Sequence, residues 1–310
     1  NQGCTCYLNS IIQILYHIPI FRRFIFSINS LDSKLSDDQN ALLQLQLLFA
    51  QLQTSDIPVD TENLTRSFGW TAEQVYKQQD ASEFFNELLD YINKKVSKKP
   101  LSNEINSLFQ IVTRTTYRGT DADFEEHSDD SFYLLQLVVS EISIIQDSLA
   151  QLTREQLLTG DDQYDSQEYS KQDAVLTTHF LKAPPILFFH LKRFEYDPST
   201  NQNIKINSIF MFPEELDLRP YFDQHGDIPK CNYELFSVLV HNGHANSGHY
   251  LVYIKNKDNN WYCYNDSNVT QVSKEEAIDN NFGNTQSFEE SHSSAYILVY
   301  IKIDEKNNLF

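Results

Sequence analysis

The sequence predicts an α+β fold, with helices first and mostly antiparallel strands after. Two observations predict it. Through about the first hundred residues, apolar side chains recur at helical spacing. From about Leu108 onward the apolar segments are aromatic and β-branched, separated by acidic, turn-rich spacers. The 310 residues suffice for one large domain with an apolar core, and show no internal repeat and no low-complexity tail.

Taken in order, Leu8, Ile11, Ile12 and Leu15 form the first helical stripe, and Pro19 ends that pattern. Leu42, Leu45, Phe49 and Leu52 make a second stripe. Ala81, Phe84, Phe85, Leu88 and Ile92 make a third, after a turn expected at "SFGW" (Ser67 to Trp70). The run "NKKVSKK" (Asn93 to Lys99) reads as a solvated helix terminus whose cations complement the dipole. Strands are expected in "LFQIVTRTTYR", "SFYLLQLVV" and "VLTTHFLKAPPILFFHLKRF", with "TDADFEEHSDD" as an acidic spacer. The last third adds "YELFSVLVH", "HYLVYIK", "WYCYND" and "AYILVYIK".

Lys and Arg number 24 and Asp and Glu 43, a net charge of −19. Such a surface argues against nucleic acid and anionic membrane as main partners, and suits a basic ligand. No apolar run is long enough for a membrane span and no signal peptide is visible. The first residue is not methionine, so residues upstream, and hence a truncated start, are expected. Four cysteines without a C-x-x-C pair argue against a structural zinc knuckle, and no metal or cofactor is expected. Few cysteines in a long chain suggest an intracellular, reducing compartment, in the cytoplasm or nucleus.

Cys6 stands directly before the first helical stripe. Unpaired N–H groups and the positive end of a helix dipole favour a thiolate there; the plain alternative is a packed thiol. Cys4 lies outside the helix and reads as incidental. A nucleophilic thiol needs a base, and His249 in "HNGHANSGHYLVYIK" is the best candidate. Gly243 and Gly248 let backbone or a thin ligand pass close by. A metal site from His241, His244 and His249 is the rival, though the stretch offers no carboxylate or thiol to complete it. If "HYLVYIK" pairs with "WYCYND" through the loop Asn256 to Asn260, Lys255 faces Trp261 and Leu251 faces Asn265. Asn265 then shares a face with His249 and can orient the ring, while Asp266 points to the other face. Asp80 and Glu83 have capping-box spacing, and with Glu87 and Asp90 they make an acidic stripe able to hold a basic peptide.

These pieces together resemble the ubiquitin-specific proteases. "NQGCTCYLNS" is similar to their cysteine box, "QQDASEFF" to their second motif, and "GHYLVYIK" with "WYCYNDSNV" to their histidine box. The resemblance continues through "SFGW", "PPILFFHLKRFEYDPSTNQNIKINSIFMFPEELDL", "SKEEAIDNNFG" and "AYILVYIK", and is greatest to the herpesvirus-associated subgroup. It covers nearly the whole chain, and least the segment from about Ala122 to Lys171. It implies a papain-like catalytic domain: a helical thumb over 1–107, β-rich fingers over 108–185 and about 200–212, and an antiparallel β palm over most of 186–310. It implies hydrolysis of the bond after the C-terminal glycine of ubiquitin, with ubiquitin and ubiquitinated proteins as partners and a monomer as the expected state.

Carried over by position, the resemblance makes Cys6 the nucleophile, His249 the base, Asn265 the orienter and Asp266 an auxiliary polar residue. Asn1 falls on the asparagine that serves the oxyanion hole. Asp80 and Glu83 fall where the basic tail of ubiquitin binds, and Phe194, Tyr196 and His241 on positions lining its channel. The loops Gly243 to Gly248 and Asp197 to Asn203 match two that flank the channel. Two departures stand out: the paired zinc cysteines of many members are missing, as in the subgroup, and Asn265 stands where that subgroup often has aspartate. Two rival functions accompany this reading, a catalytically weak ubiquitin-binding module and an enzyme for a ubiquitin-like modifier.

Overall fold

A computed structural model describes residues 1–29, 40–70, 79–96, 103–224, 228, 230–284 and 293–310. Six helices come first: α1 Cys6–Tyr16, α2 Pro19–Ser27, α3 Ala41–Thr54, α4 Glu62–Ser67, α5 Ala81–Val96 and α6 Glu104–Phe109. The three predicted stripes fall on α1, α3 and α5. Pro19, expected as a stop, is the first residue of α2, where its missing N–H costs nothing. Phe68 and Gly69 form the expected turn, with Gly69 at φ +76°. The "NKKVSKK" run is helical to Val96; its remainder lies outside the described residues.

Strands follow as β1 Ile111–Gly119, β2 Glu125–Phe132, β3 Leu135–Val138, β4 Gln156–Leu158, β5 Tyr164–Ser166, β6 Ser170–Gln172, β7 Ala174–Lys182 and β8 Ile186–Lys192. The remainder are β9 Phe194–Asp197, β10 Gln202–Lys205, β11 Glu215–Asp217, β12 Asn232–His244, β13 Ser247–Lys255, β14 Trp261–Asn265, β15 Asn268–Val272 and β16 Ser293–Lys302. The main sheet runs β15-β14-β13-β12-β16-β8-β3, with β11 paired to β12. A second sheet runs β2-β1-β7-β4, and β9–β10 and β5–β6 are separate hairpins. β3 falls in the stretch expected for the fingers, yet it pairs in parallel with β8 in the main sheet.

The segment expected as an acidic spacer is in part a strand. β2 pairs with β1 along its whole length through the backbone ladder, and exposed ion pairs cross it. Arg114 reaches both carboxylate oxygens of Asp129 at 2.7 and 2.8 Å, and Arg118 reaches Glu125 at 2.9 Å. A short helix at Ile145–Leu152, α7, interrupts the β-rich half, where no helix was expected.

Two cores sandwich the main sheet. Side chains on β8 and β16 alternate between them: Phe188, Ile297 and Val299 meet the helices, whereas Phe189, Leu298 and Tyr300 face the opposite layer. Burial on both faces explains why "ILFFHL" and "AYILVY" read as unbroken apolar runs. Helix α1 carries no charged residue, and eight of its eleven residues are buried, so it runs through the first core.

Arg193, between β8 and β9, is fully buried and uses carbonyls as partners. It donates to Ala295 at 2.8 Å, Ile206 at 2.9 Å, Ser208 at 3.0 Å and Phe282 at 2.9 Å. Burial pulls its pKa down to about 10. One guanidinium thus ties three separate backbone segments together, at 206–208, 282 and 295. Arg193→Ala is expected to destabilise the fold by about 3–5 kcal/mol, because four carbonyls lose their donor at once; chemical denaturation measures this, and a loss below about 1 kcal/mol would mean the carbonyls find other donors.

Candidate functional site

Cys6 is the first residue of α1 and is 2% exposed. Asn1 holds the preceding segment: its Oδ1 accepts from the N–H groups of Gly3 at 3.2 Å and Thr5 at 3.1 Å. Helix α1 packs against β13, and the Tyr250 N–H donates to the Cys6 sulfur at 3.3 Å. His249, one residue earlier on β13, therefore stands beside the thiol. Its Nε2 donates to Asn265 Oδ1 at 2.7 Å, which leaves Nδ1 for Cys6. The predicted hairpin register is the observed one: Lys255 pairs with Trp261 and Val252 with Tyr264, so Leu251 lies opposite Asn265.

Asp266 begins the two-residue turn after β14, with φ +51°. Its Oδ2 accepts from Asn1 Nδ2 at 2.9 Å and its Oδ1 from Asn9 Nδ2 at 2.8 Å. It lies 3.9 Å from His249 Nε2, too far for a hydrogen bond but close enough to favour the cation. The His249 pKa is raised to about 9. The hydrogen bond to the Cys6 side chain is the largest cause, burial opposes it, and Asn265 and Asp266 add to the rise.

Tyr250, whose N–H meets the Cys6 sulfur, lines a cavity of about 300 Å³ with Gln79, Asp80, Phe194, His241 and Asn246. The rings pack edge to face: Phe194 to His241 with centroids 5.0 Å apart, and His241 to Tyr250 at 4.8 Å. Burial, with the Lys205 charge nearby, pushes the His241 pKa down to about 3, so this ring is neutral. Lys205 Nζ donates to the carbonyls of His241 at 2.8 Å and Gly243 at 3.2 Å, tying β10 to the end of β12. Gly243 and Gly248 are required there. Gly243 sits at φ +126°, and a Cβ on Gly248 would stand 2.3 Å from His241 Nε2.

Asp80 caps α5: its Oδ1 accepts from the Ser82 N–H at 2.7 Å, and its Oδ2 accepts from the Tyr296 hydroxyl. Glu83 makes no return bond among the described residues and stays exposed, so only half of the expected capping box forms. Burial first, then the charges of Asp80 and Glu87, raise the Glu83 pKa. Tyr196, on the β9–β10 hairpin, is 58% exposed and hydrogen-bonds Asn201, away from the cavity wall. His241, His244 and His249 do not assemble as ligands: among the described residues no group of three or more His, Cys, Asp or Glu could hold a metal ion.

Sequence reasoning passed over Asn9, Tyr250 and Lys205. Asn9 sits one turn along α1 from Cys6, and that helical spacing is the only signal it carried.

Residues 1–300 match the family described as UCH, ubiquitin carboxyl-terminal hydrolase. The chain belongs to this family. Among curated ubiquitin carboxyl-terminal hydrolases, number 15 of Saccharomyces cerevisiae is 34% identical over 336 residues, covering 100% of this chain and 27% of the relative. Number 7 of Drosophila melanogaster is 35% identical over 310 residues, covering 98% of this chain and 27% of the relative. The chain therefore spans about a quarter of the length of these relatives. Among solved structures, a chain of the SAGA Ubp8/Sgf11/Sus1/Sgf73 DUB module bound to ubiquitin aldehyde superposes with a TM-score of 0.80. It is 25% identical, and the match covers 97% of this chain and 68% of that one. The hydrolase family thus shares this papain-like α+β architecture.

A histidine whose pKa is raised on folding stabilises the fold fully below its unfolded value, near 6.5, and that contribution is lost as pH climbs through about 9. Since Cys6 is the largest cause, Cys6→Ala is expected to bring the His249 titration down from about 9. An imidazole NMR titration of both proteins checks this, and an unmoved midpoint would assign the shift elsewhere.

Proposed function

We propose that the chain is a deubiquitinating thiol hydrolase that cleaves isopeptide or peptide bonds after the C-terminal glycine of ubiquitin. The observation that carries this reading is the line Cys6, His249, Asn265 in a chain of the hydrolase family. A thiol, an imidazole and a carboxamide in that order can attack a carbonyl and protonate the departing amine. Cys6 is the nucleophile and His249 its base, held by Asn265. Sulfur adds to the glycine carbonyl, the C–N bond breaks, and the amine leaves with the proton from His249. Water then hydrolyses the thioester and returns the proton to the Cys6–His249 pair.

Asn1 stabilises the oxyanion. One of its Nδ2 hydrogens goes to Asp266 and the other is available, an arrangement often worth ~3–4 kcal/mol. Asp266 is auxiliary, holding Asn1 and Asn9 in place. The cavity lined by Phe194, His241 and Tyr250 admits a tail without side chains, as two glycines are. Glu83 offers its carboxylate to an arginine of that tail, and Asp80 forms the wall behind it. The helices form the thumb, the four-stranded sheet the fingers and the main sheet the palm, with the boundaries expected from sequence adjusted for β3. The missing C-x-x-C pairs support membership of the herpesvirus-associated subgroup. All four cysteines are free, which supports a reducing, intracellular location. Among the described residues, no helix is long and apolar enough to cross a membrane.

An electrophilic ubiquitin probe tests the reading. The chain is expected to form a covalent adduct that Cys6→Ala abolishes and Cys4→Ala preserves; the reverse pattern, or binding without an adduct, would sink the hydrolase assignment. Asn265→Ala is expected to lower kcat/KM on a fluorogenic ubiquitin substrate on the order of 100-fold, and Asp266→Ala by less than about tenfold. A larger loss at Asp266 would make the carboxylate the orienting group.

A further inference from the structure

The proposed mechanism leaves a second cavity unused. It measures about 530 Å³ and lies between α1, the C-terminal half of α3, residues 55–61 and the β14–β15 turn. Its inner end is formed by Asn1, Asn9 and Asp266. The two cavities share no lining residue, and each includes a neighbour of the Cys6–His249 pair. The aromatic one arrives through Tyr250, whose N–H is on the sulfur. This one arrives through Asp266, 3.9 Å from His249 Nε2. An acyl chain bound to Cys6 through the first leaves the second beside the base, where the amine departs.

The lining has a definite chemistry. Ile12, Leu48 and Leu52 make an apolar floor, and Ile57 and Val269 stand at the mouth, 74% and 53% exposed. Asp56, Asp60 and Asp266 supply three carboxylates, and among the described residues no Lys, Arg or His lines the cavity. The Asp266 oxygens are engaged by Asn1 and Asn9, and one Asp60 oxygen accepts from the Glu62 N–H. Asp56 is exposed and has no hydrogen bond or ion pair among the described residues. An apolar floor under unneutralised carboxylates suits an apolar side chain next to a basic one. A second copy of this chain is a poor occupant, because its own net charge is −19.

We propose that this cavity docks the polypeptide from which ubiquitin is removed. An apolar side chain near the modified lysine seats against Ile57 and Val269, and a neighbouring lysine or arginine faces Asp56 and Asp60. The inference rests on the hydrolase reading and extends it from the ubiquitin side of the scissile bond to the other side.

Two kinds of substrate separate the claims. One is ubiquitin ethyl ester, whose leaving group is too small to reach the cavity. The other is ubiquitin joined to the lysine of a short peptide, made in a Leu/Arg version and a Gly/Asp version. The chain is expected to cleave the Leu/Arg conjugate about tenfold faster in kcat/KM than the Gly/Asp one. Ile57→Asp with Val269→Asp should erase that preference and leave the ester unchanged. Asp56→Lys, at an exposed position, should by itself weaken the preference for arginine. Equal hydrolysis of the two conjugates by the unmodified chain would overturn the inference while leaving the hydrolase reading standing. So would equal losses on ester and conjugate in a variant with an unaltered melting curve. A chain inert toward ester, conjugates and electrophilic ubiquitin alike would overturn the hydrolase reading, and this inference with it.

Discussion

The seating of one helix end against one strand is the constraint on which the rest depends. Helix α1 is uncharged and buried, so it must run inside the first core. Its first residue then meets β13, where a main-chain N–H points at the Cys6 sulfur. Strand alternation and the β13–β14 register do the remainder, bringing His249 and Asn265 to the same place. Neither half of the molecule contains the site alone. The thiol comes from the helical half and the imidazole and carboxamide from the sheet, so the site exists only when both are folded and docked.

Around this seam, two buried cations, Arg193 and Lys205, act on backbone carbonyls. Arg193 gathers the carbonyls of Ala295, Ile206, Ser208 and Phe282. Lys205 holds those of His241 and Gly243, and burial with the Arg193 charge nearby pushes its ammonium down to about 7. Carbonyl dipoles are weaker partners than carboxylates, but they belong to the chain itself and so fix loops and not only side chains. The aromatic cavity wall is held in this way from behind, and its rings carry no charge.

Much of this was legible in the sequence because the signals were periodic or local. The stripes of α1, α3 and α5 follow from helical spacing, and the hairpin register follows from loop length, which placed Asn265 beside His249. The same alternation put Asp266 on the other face, but that residue lies past the strand's end in a turn at φ +51°, and its carboxylate comes back to 3.9 Å from His249 Nε2. What escaped had non-periodic causes. "DFEEHSDD" shows no apolar alternation, because the strand formed there is exposed on nearly every residue and is paired to its neighbour through the backbone. Half of the capping box failed because Glu83 faces solvent, and nothing in the spacing alone distinguishes the two outcomes. The roles of Arg193 and Lys205 were invisible, since their partners are main-chain atoms up to 102 residues away. The part of β2 that escaped sequence reading also raises a question of association.

β2 is the outer strand of its sheet, with eight residues whose second backbone edge has no partner among the described strands. An uncovered edge of this length is a template on which another extended chain can add by hydrogen bonds alone. Here any such chain would have to approach Glu125, Glu126, Asp129 and Asp130, of which Glu125 and Asp129 are matched by arginines from within the same sheet. A second copy brings the same carboxylates and is repelled. The acidic composition of this strand thus acts as a guard against self-templated fibre growth, one that high salt would weaken.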